Sequence, residues 1–124
     1  MERSKATPLI TICLFVFVFC SNCYAADEWT KTDKALLGAS LGLRTIDYLQ
    51  TKEIARNPNY HETNPCLGRH PTQGQVDTYF LATAIGEIVI AHFLPSKWRR
   101  VWLGVWIGVS GACVTYNYTI GIRF

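Results

Sequence analysis

Three long stretches of this chain carry helical apolar patterning, and they differ in what interrupts it. Val101 to Ile122 contains no charged residue. That is enough helix to cross a hydrocarbon core of ~30 Å. Trp98 and Trp102 mark one end and Tyr116 and Tyr118 the other, as aromatic belts do. The interior of the stretch Gln73 to Leu94 is apolar except for Glu87 and His92. Those two are five apart, about 140° around a helix of ~3.6 residues per turn, so each needs a partner from elsewhere. The third stretch, between Thr30 and Asn57, has Arg44 and Asp47 mid-helix on one face with Thr51. The pattern predicts helices over about 33–55, 73–94 and 98–120. The fold class expected is an all-α membrane protein, a small bundle of two to three transmembrane or membrane-associated helices.

Start and stop signals agree with these limits. Thr30 with Asp33, and Thr72 with Gln75, have the spacing of a capped helix start. Asn57-Pro58 ends the first helix and Pro95 the second, since a residue before proline avoids helical angles. Between these helices lies a polar segment, Tyr60 to Pro71, holding His61, Glu62, Cys66 and His70. Pro58, Pro65, Gly68 and Pro71 break all periodicity in it, so it reads as a structured turn region.

The N-terminus changes the picture. Arg3 and Lys5 precede an apolar run from Leu9 to Cys20, and small residues follow up to Ala26. This reads as an export signal over 1–25, with an uncleaved anchor as the alternative. Residues 26–124 then form one helical membrane domain. Nearly half of the chain is apolar and only 17% is charged, which is sparse for a water-soluble domain. The net charge of +3 comes from scattered residues, so no nucleic-acid stripe exists. The tight basic group Lys97-Trp98-Arg99-Arg100 reads as an anchor near lipid headgroups. The expected location is the inner membrane, multi-pass, with the lipid bilayer as a partner.

A rough insertion sum bears on the first helix. Arg44 and Asp47 cost about 3 kcal/mol each at a helix centre, against on the order of −0.5 kcal/mol for each strong apolar residue. The helix should not insert alone. It enters against the other two, or it lies on the surface of a two-span hairpin. The position of the 97–100 basic turn favours the two-span arrangement, with 26–72 periplasmic.

Candidate chemistry is thin. An ionisable group in a membrane helix is a functional candidate by default. Asp47, Glu62, His70 and His92 are therefore the catalytic candidates. Arg44, Gln50, Thr51, Asn64, Glu87 and Asn117 are read as structural polar groups. Gly38 with Gly42, and Gly104 with Gly108, have the four-residue spacing that admits a close helix neighbour. No metal or cofactor is expected. His61 and His70 are weak metal candidates, because nine residues separate them and chelation would require the loop to fold back. No cofactor or nucleophile motif is present.

Asp47-Tyr48-Leu49-Gln50-Thr51, the run Glu62-Thr63-Asn64-Pro65-Cys66-Leu67-Gly68-Arg69-His70-Pro71, and the closing Asn117 to Gly121 resemble a class of small uncharacterised bacterial inner-membrane proteins. Asp47, Gln50, Thr51, Glu62, Asn64, His70 and Asn117 match that pattern. The resemblance implies a membrane location and supplies no reaction.

The function expected is that of a non-catalytic packing or accessory protein, pairing with itself or with a membrane-protein partner. An intramembrane hydrolase built from the Asp, Glu and His groups is the first alternative. A holin-like pore-former is the second.

Overall fold

The computed structural model describes residues 27–123, so the export signal expected over 1–25 lies outside the described residues. Three helices follow one another: α1 (Lys31–Arg56), α2 (Gln73–Phe93) and α3 (Ser96–Thr119). Each boundary falls within two residues of the pattern-based expectation, and the described residues hold no strand.

Local chemistry sets the ends. The Thr30 hydroxyl accepts from the Asp33 backbone N–H at 3.1 Å, and the Asp33 carboxylate accepts from the Thr30 N–H at 3.0 Å. Thr72 and Gln75 repeat this reciprocal cap on α2. Pro95 N-caps α3 directly after α2 stops, so the last two helices are joined by a minimal corner. At the far end of α3, Gly121 takes φ +88 and lets the Ile122 N–H reach back to the Asn117 carbonyl at 3.0 Å. This closes the helix and folds Ile122 into the core at 1% exposure.

Packing departs from the expected hairpin. The arrangement read from the sequence docks the first helix onto a paired second and third. In the structure α1 is the central element: it packs most extensively on α3, next on α2, while α2 and α3 touch least. The most polar helix is therefore the one that holds the bundle together. Its buried positions, Asp33, Ser40, Arg44 and Thr51, recur at seven- and four-residue intervals, a polar seam at core spacing. On α3 the buried positions Arg99, Leu103, Ser110, Val114 and Asn117 follow the same period.

Within one chain the glycine faces are left open. A Cβ added at Gly38, Gly42, Gly104 or Gly108 would meet nothing within 4 Å. These glycines face outward, and no close approach within the chain depends on them. The glycine that touches a neighbouring helix is Gly111, where a Cβ would meet Leu43 Cδ1 at 3.9 Å.

The span expectation also shifts. Among the described helices, α2 is long and apolar enough to cross a membrane by length and composition, with mean hydropathy 1.3. The 101–122 stretch, expected to be the clearest, falls short of that measure. It carries no charge, but its Trp, Tyr, Gly and Asn residues lower its mean hydropathy.

These contacts predict opposite effects for different glycines. Gly38→Ala and Gly104→Ala should each raise stability by up to about 1 kcal/mol, through helix propensity alone. Gly121→Ala should lower it by about 1 kcal/mol, because alanine resists positive φ. Thermal unfolding of the detergent-solubilised chain, followed by circular dichroism, reads both signs.

Candidate functional site: a polar network inside the bundle

Three layers of polar side chains run down the inside of the bundle. The first lies where α1 and α3 begin. Arg99 is fully buried and uses every donor it has. Nε donates to the Ala91 carbonyl at 2.8 Å. Nη1 donates to Asp33 Oδ2 at 3.2 Å and to the Glu28 carbonyl. Nη2 donates to the carbonyls of Asp27 and Leu94. The guanidinium also lies 4.7 Å from the Trp29 ring centre. Arg100 Nε meets the other Asp33 oxygen at 3.0 Å. The expected headgroup anchor is therefore divided. Lys97 and Trp98 are exposed, whereas Arg99 pins the open C-terminus of α2 to the start of α1.

Burial by itself would raise the pKa of Asp33. The Thr30 N–H, Arg100, the Thr30 hydroxyl and Arg99 together outweigh burial and hold the carboxyl down at about 2.

The second layer sits mid-bundle. Arg44 Nη2 lies 3.1 Å from Glu87 Oε2, with both side chains almost wholly buried. Ser40 donates to the other Glu87 oxygen. Arg44 Nη1 donates to Thr83 Oγ1 at 2.6 Å, and the Thr83 hydroxyl donates in turn to the Tyr79 carbonyl. The Arg44 guanidinium stacks 4.2 Å from the Trp106 ring centre, and Trp102 Nε1 donates to the Glu87 carbonyl. All three helices contribute. The partner that Glu87 needs is thus Arg44 of α1, and Arg44 is not neutralised by its helical neighbour Asp47.

The third layer joins α1 to α3. Asn117 Nδ2 donates to Gln50 Oε1 at 3.2 Å, and Gln50 Nε2 reaches the Val114 carbonyl at 3.5 Å. Gln50 has no exposed surface and Thr51 almost none. Arg44, Gln50, Thr51, Glu87 and Asn117, read as structural polar groups, all lie in this interior. Asn64 instead organises the 57–72 loop, accepting from Leu67, Gly68 and Cys66. Ser40, Asp33, Arg99, Trp102 and Trp106 were missed as members. Ser40 stands one turn before Arg44 and Arg99 one turn before Leu103, so helical phase was the available signal.

The catalytic candidates do not converge. Asp47 is half-buried between the second and third layers, and the charges acting on it are Glu62 and Arg44. Glu62 Oε1 accepts from the Thr63 and Asn64 N–H groups, while its Oε2 is buried without a partner among the described residues. His70 stacks on His61 at the loop surface. His92 is exposed in the last turn of α2, some 28 Å of helix from the loop. Among the described residues no group of three or more His, Cys, Asp or Glu could hold a metal ion. The two cysteines described, Cys66 and Cys113, are free.

No family model, curated protein or solved structure matches this chain.

The second layer should behave as a unit. Arg44→Ala or Glu87→Ala alone should cost about 3–5 kcal/mol, because each leaves a buried charge unanswered. An Arg44→Met, Glu87→Leu double variant should recover much of that loss. Unfolding midpoints of the four proteins test it. The first layer should respond to acid. A carboxyl held below its unfolded value of about 3.9 stabilises fully above that pH, and the contribution is lost as pH falls towards 2. Asp33→Asn should flatten this acid limb in the same unfolding measurement.

Proposed function

We propose that this chain is a small integral membrane protein of the bacterial inner-membrane kind. In this reading its three helices are embedded together, and it serves as a non-catalytic packing or accessory component. The observation that carries the reading is the inversion of its surface and core. Among the described residues nine buried ones are polar or charged, against seven buried hydrophobic ones, the reverse of a water-soluble domain. Large apolar residues face outward instead, among them Leu81, Ile85, Phe93, Val101, Val105 and Val109.

Charge placement supports the same reading. Within 35–51 of α1, 78–91 of α2 and 101–119 of α3, no described charged residue is exposed. Arg44 and Glu87 are buried and Asp47 is half-buried. The exposed charges collect at the two ends: Lys31, Lys34, Lys97 and Arg100 at one, Arg56, Arg69, Asp77 and Arg123 at the other. Hydroxyls on the outer faces of α1 and α3 bond back to their own helices, Thr45 to Leu41 and Thr115 to Gly111. That arrangement leaves neither of these two hydroxyls to be satisfied by water. With its charges turned inward, α1 becomes a third spanning element. Residues 26–72 are then divided between the two sides of the membrane and not held on one.

The non-catalytic part rests on how the ionisable groups are used. Asp33 pairs with Arg99 and Arg44 with Glu87, and of the catalytic candidates His92 lies at the opposite end of α2 from the loop that holds Glu62 and His70. The hydrolase reading keeps one specific point in its favour: Asp47, with Glu62 acting on it, bonds to no described residue.

Membranes carrying the expressed chain test the proposal. The protein should stay in the pellet after an alkaline carbonate wash and leave it only in detergent. Growth and membrane potential should be unaffected by its expression. Release by carbonate would contradict the membrane reading. Collapse of the potential would support a pore-former. Lipid or peptide hydrolysis by purified protein, abolished by Asp47→Ala, would replace the accessory role with the enzymatic one.

A further inference from the structure

We propose that His61 and His70 form a two-imidazole site for a divalent transition-metal ion of the Zn²⁺ type, at the surface of the loop joining α1 to α2. This goes beyond the membrane reading and does not depend on it.

Nine residues separate the two histidines, and the loop folds back to bring them together. The Glu62 N–H donates to the Arg69 carbonyl at 3.0 Å, so the two arms pair across their backbones. His61 and His70 are the next residues outward on each arm. The turn between is fixed from inside. The Asn64 carbonyl accepts from the N–H groups of Leu67 and Gly68 at 3.1 and 3.2 Å, and its side-chain oxygen accepts from Cys66 at 2.9 Å. Gly68 supplies the φ of +75 that the reversal needs. On the other arm Glu62 Oε1 gathers the N–H groups of Thr63 and Asn64. These bonds hold the mouth of the loop at a set width before any ion arrives.

That width suits a chelate. The imidazole centroids stand 4.7 Å apart with their planes at 83°. A metal about 2.1 Å from each nitrogen lies about 3.2 Å from each centroid, so cis ligands have centroids about 4.5 Å apart at a right angle and about 5.2 Å at the tetrahedral angle. The observed spacing falls between these limits. Both side chains are exposed and bond to no other described residue, so rotation about their side-chain torsions can aim one nitrogen of each at a shared point. Neutral imidazole pairs are the ligands that zinc, nickel and copper dications favour. The described residues offer no third His, Cys, Asp or Glu for such a cluster. Water therefore completes the coordination, and the ion exchanges with solution.

The test uses the full chain, purified in detergent without a histidine tag, washed with chelator and titrated with Zn²⁺ by calorimetry. One equivalent should bind per chain. His61→Ala and His70→Ala should each weaken binding at least tenfold, and the double variant should be no worse than either single one. His92→Ala and Cys66→Ser should bind as the parent does. Helical circular dichroism of each variant, unchanged from the parent, separates ligand loss from misfolding. Absence of stoichiometric binding by the parent would overturn the proposal. So would binding that survives removal of both histidines, or losses that add independently between the two, since a chelate is broken by the loss of either arm.

Discussion

Arg44 and Glu87 meet at 3.1 Å in the middle of the bundle, and the contacts of the second polar layer arrange themselves around them. Ser40 and Thr83 take up hydrogen-bonding positions on the pair, Trp106 covers the guanidinium, and Trp102 binds the backbone of Glu87. Arg44 comes from α1 and Glu87 from α2, while the two indoles come from α3. The pair thus fixes the relative rotation of all three helices. A buried pair of this kind is weak as a source of net stability, since desolvation offsets much of the attraction. Its force lies in specificity. Any rotation or axial slip of α1 would separate the charges and leave both unanswered in an apolar setting.

That constraint explains why the most polar helix occupies the centre. Alone, α1 would carry Arg44 and Asp47 into lipid at about 3 kcal/mol each. In the bundle, Glu87 answers Arg44, Arg99 and Arg100 answer Asp33, and Asn117 answers Gln50. Its outward face can then be small and uncharged, with Ala35, Gly38, Ala39 and Gly42 exposed along it. On the proposed membrane reading, polar contacts take over the work that apolar burial does in water, since the surroundings are then as apolar as the side chains. The outer surface of α2 and α3 completes the inversion.

Much of this was legible in the sequence, and the parts that were not have physical reasons. Helix limits followed from Thr30, Thr72 and the prolines, because caps and breaks are local chemistry. That Glu87 needed a partner was legible from its position. The identity of the partner was not, because Asp47 stood three residues from Arg44 and offered a local answer that the structure does not use. The role of Arg99 was hidden by its neighbours: within Lys97-Trp98-Arg99-Arg100 it looked like one more interfacial cation. Helical phase with Leu103 and Asn117 separates it from them. The glycine spacing reports where a helix could approach, and no helix of the same chain does so at Gly38, Gly42, Gly104 or Gly108. The loop was under-read. Its backbone reversal depends on Gly68 and on Asn64 bonding inward, so the meeting of His61 and His70 is a tertiary result of turn geometry.

The central claim is that polar groups face inward and apolar groups face lipid. Single cysteines placed in a chain with Cys66 and Cys113 replaced, labelled in intact membranes with a fluorophore, test it directly. At Ile85, Val105 and Gly38 the label should be quenched by a lipid-soluble quencher and shielded from a water-soluble one. At Ser110, inside the bundle, both should fail to reach it. Equal quenching of Ile85 and Val105 from water, with Ser110 open to lipid, would contradict the account.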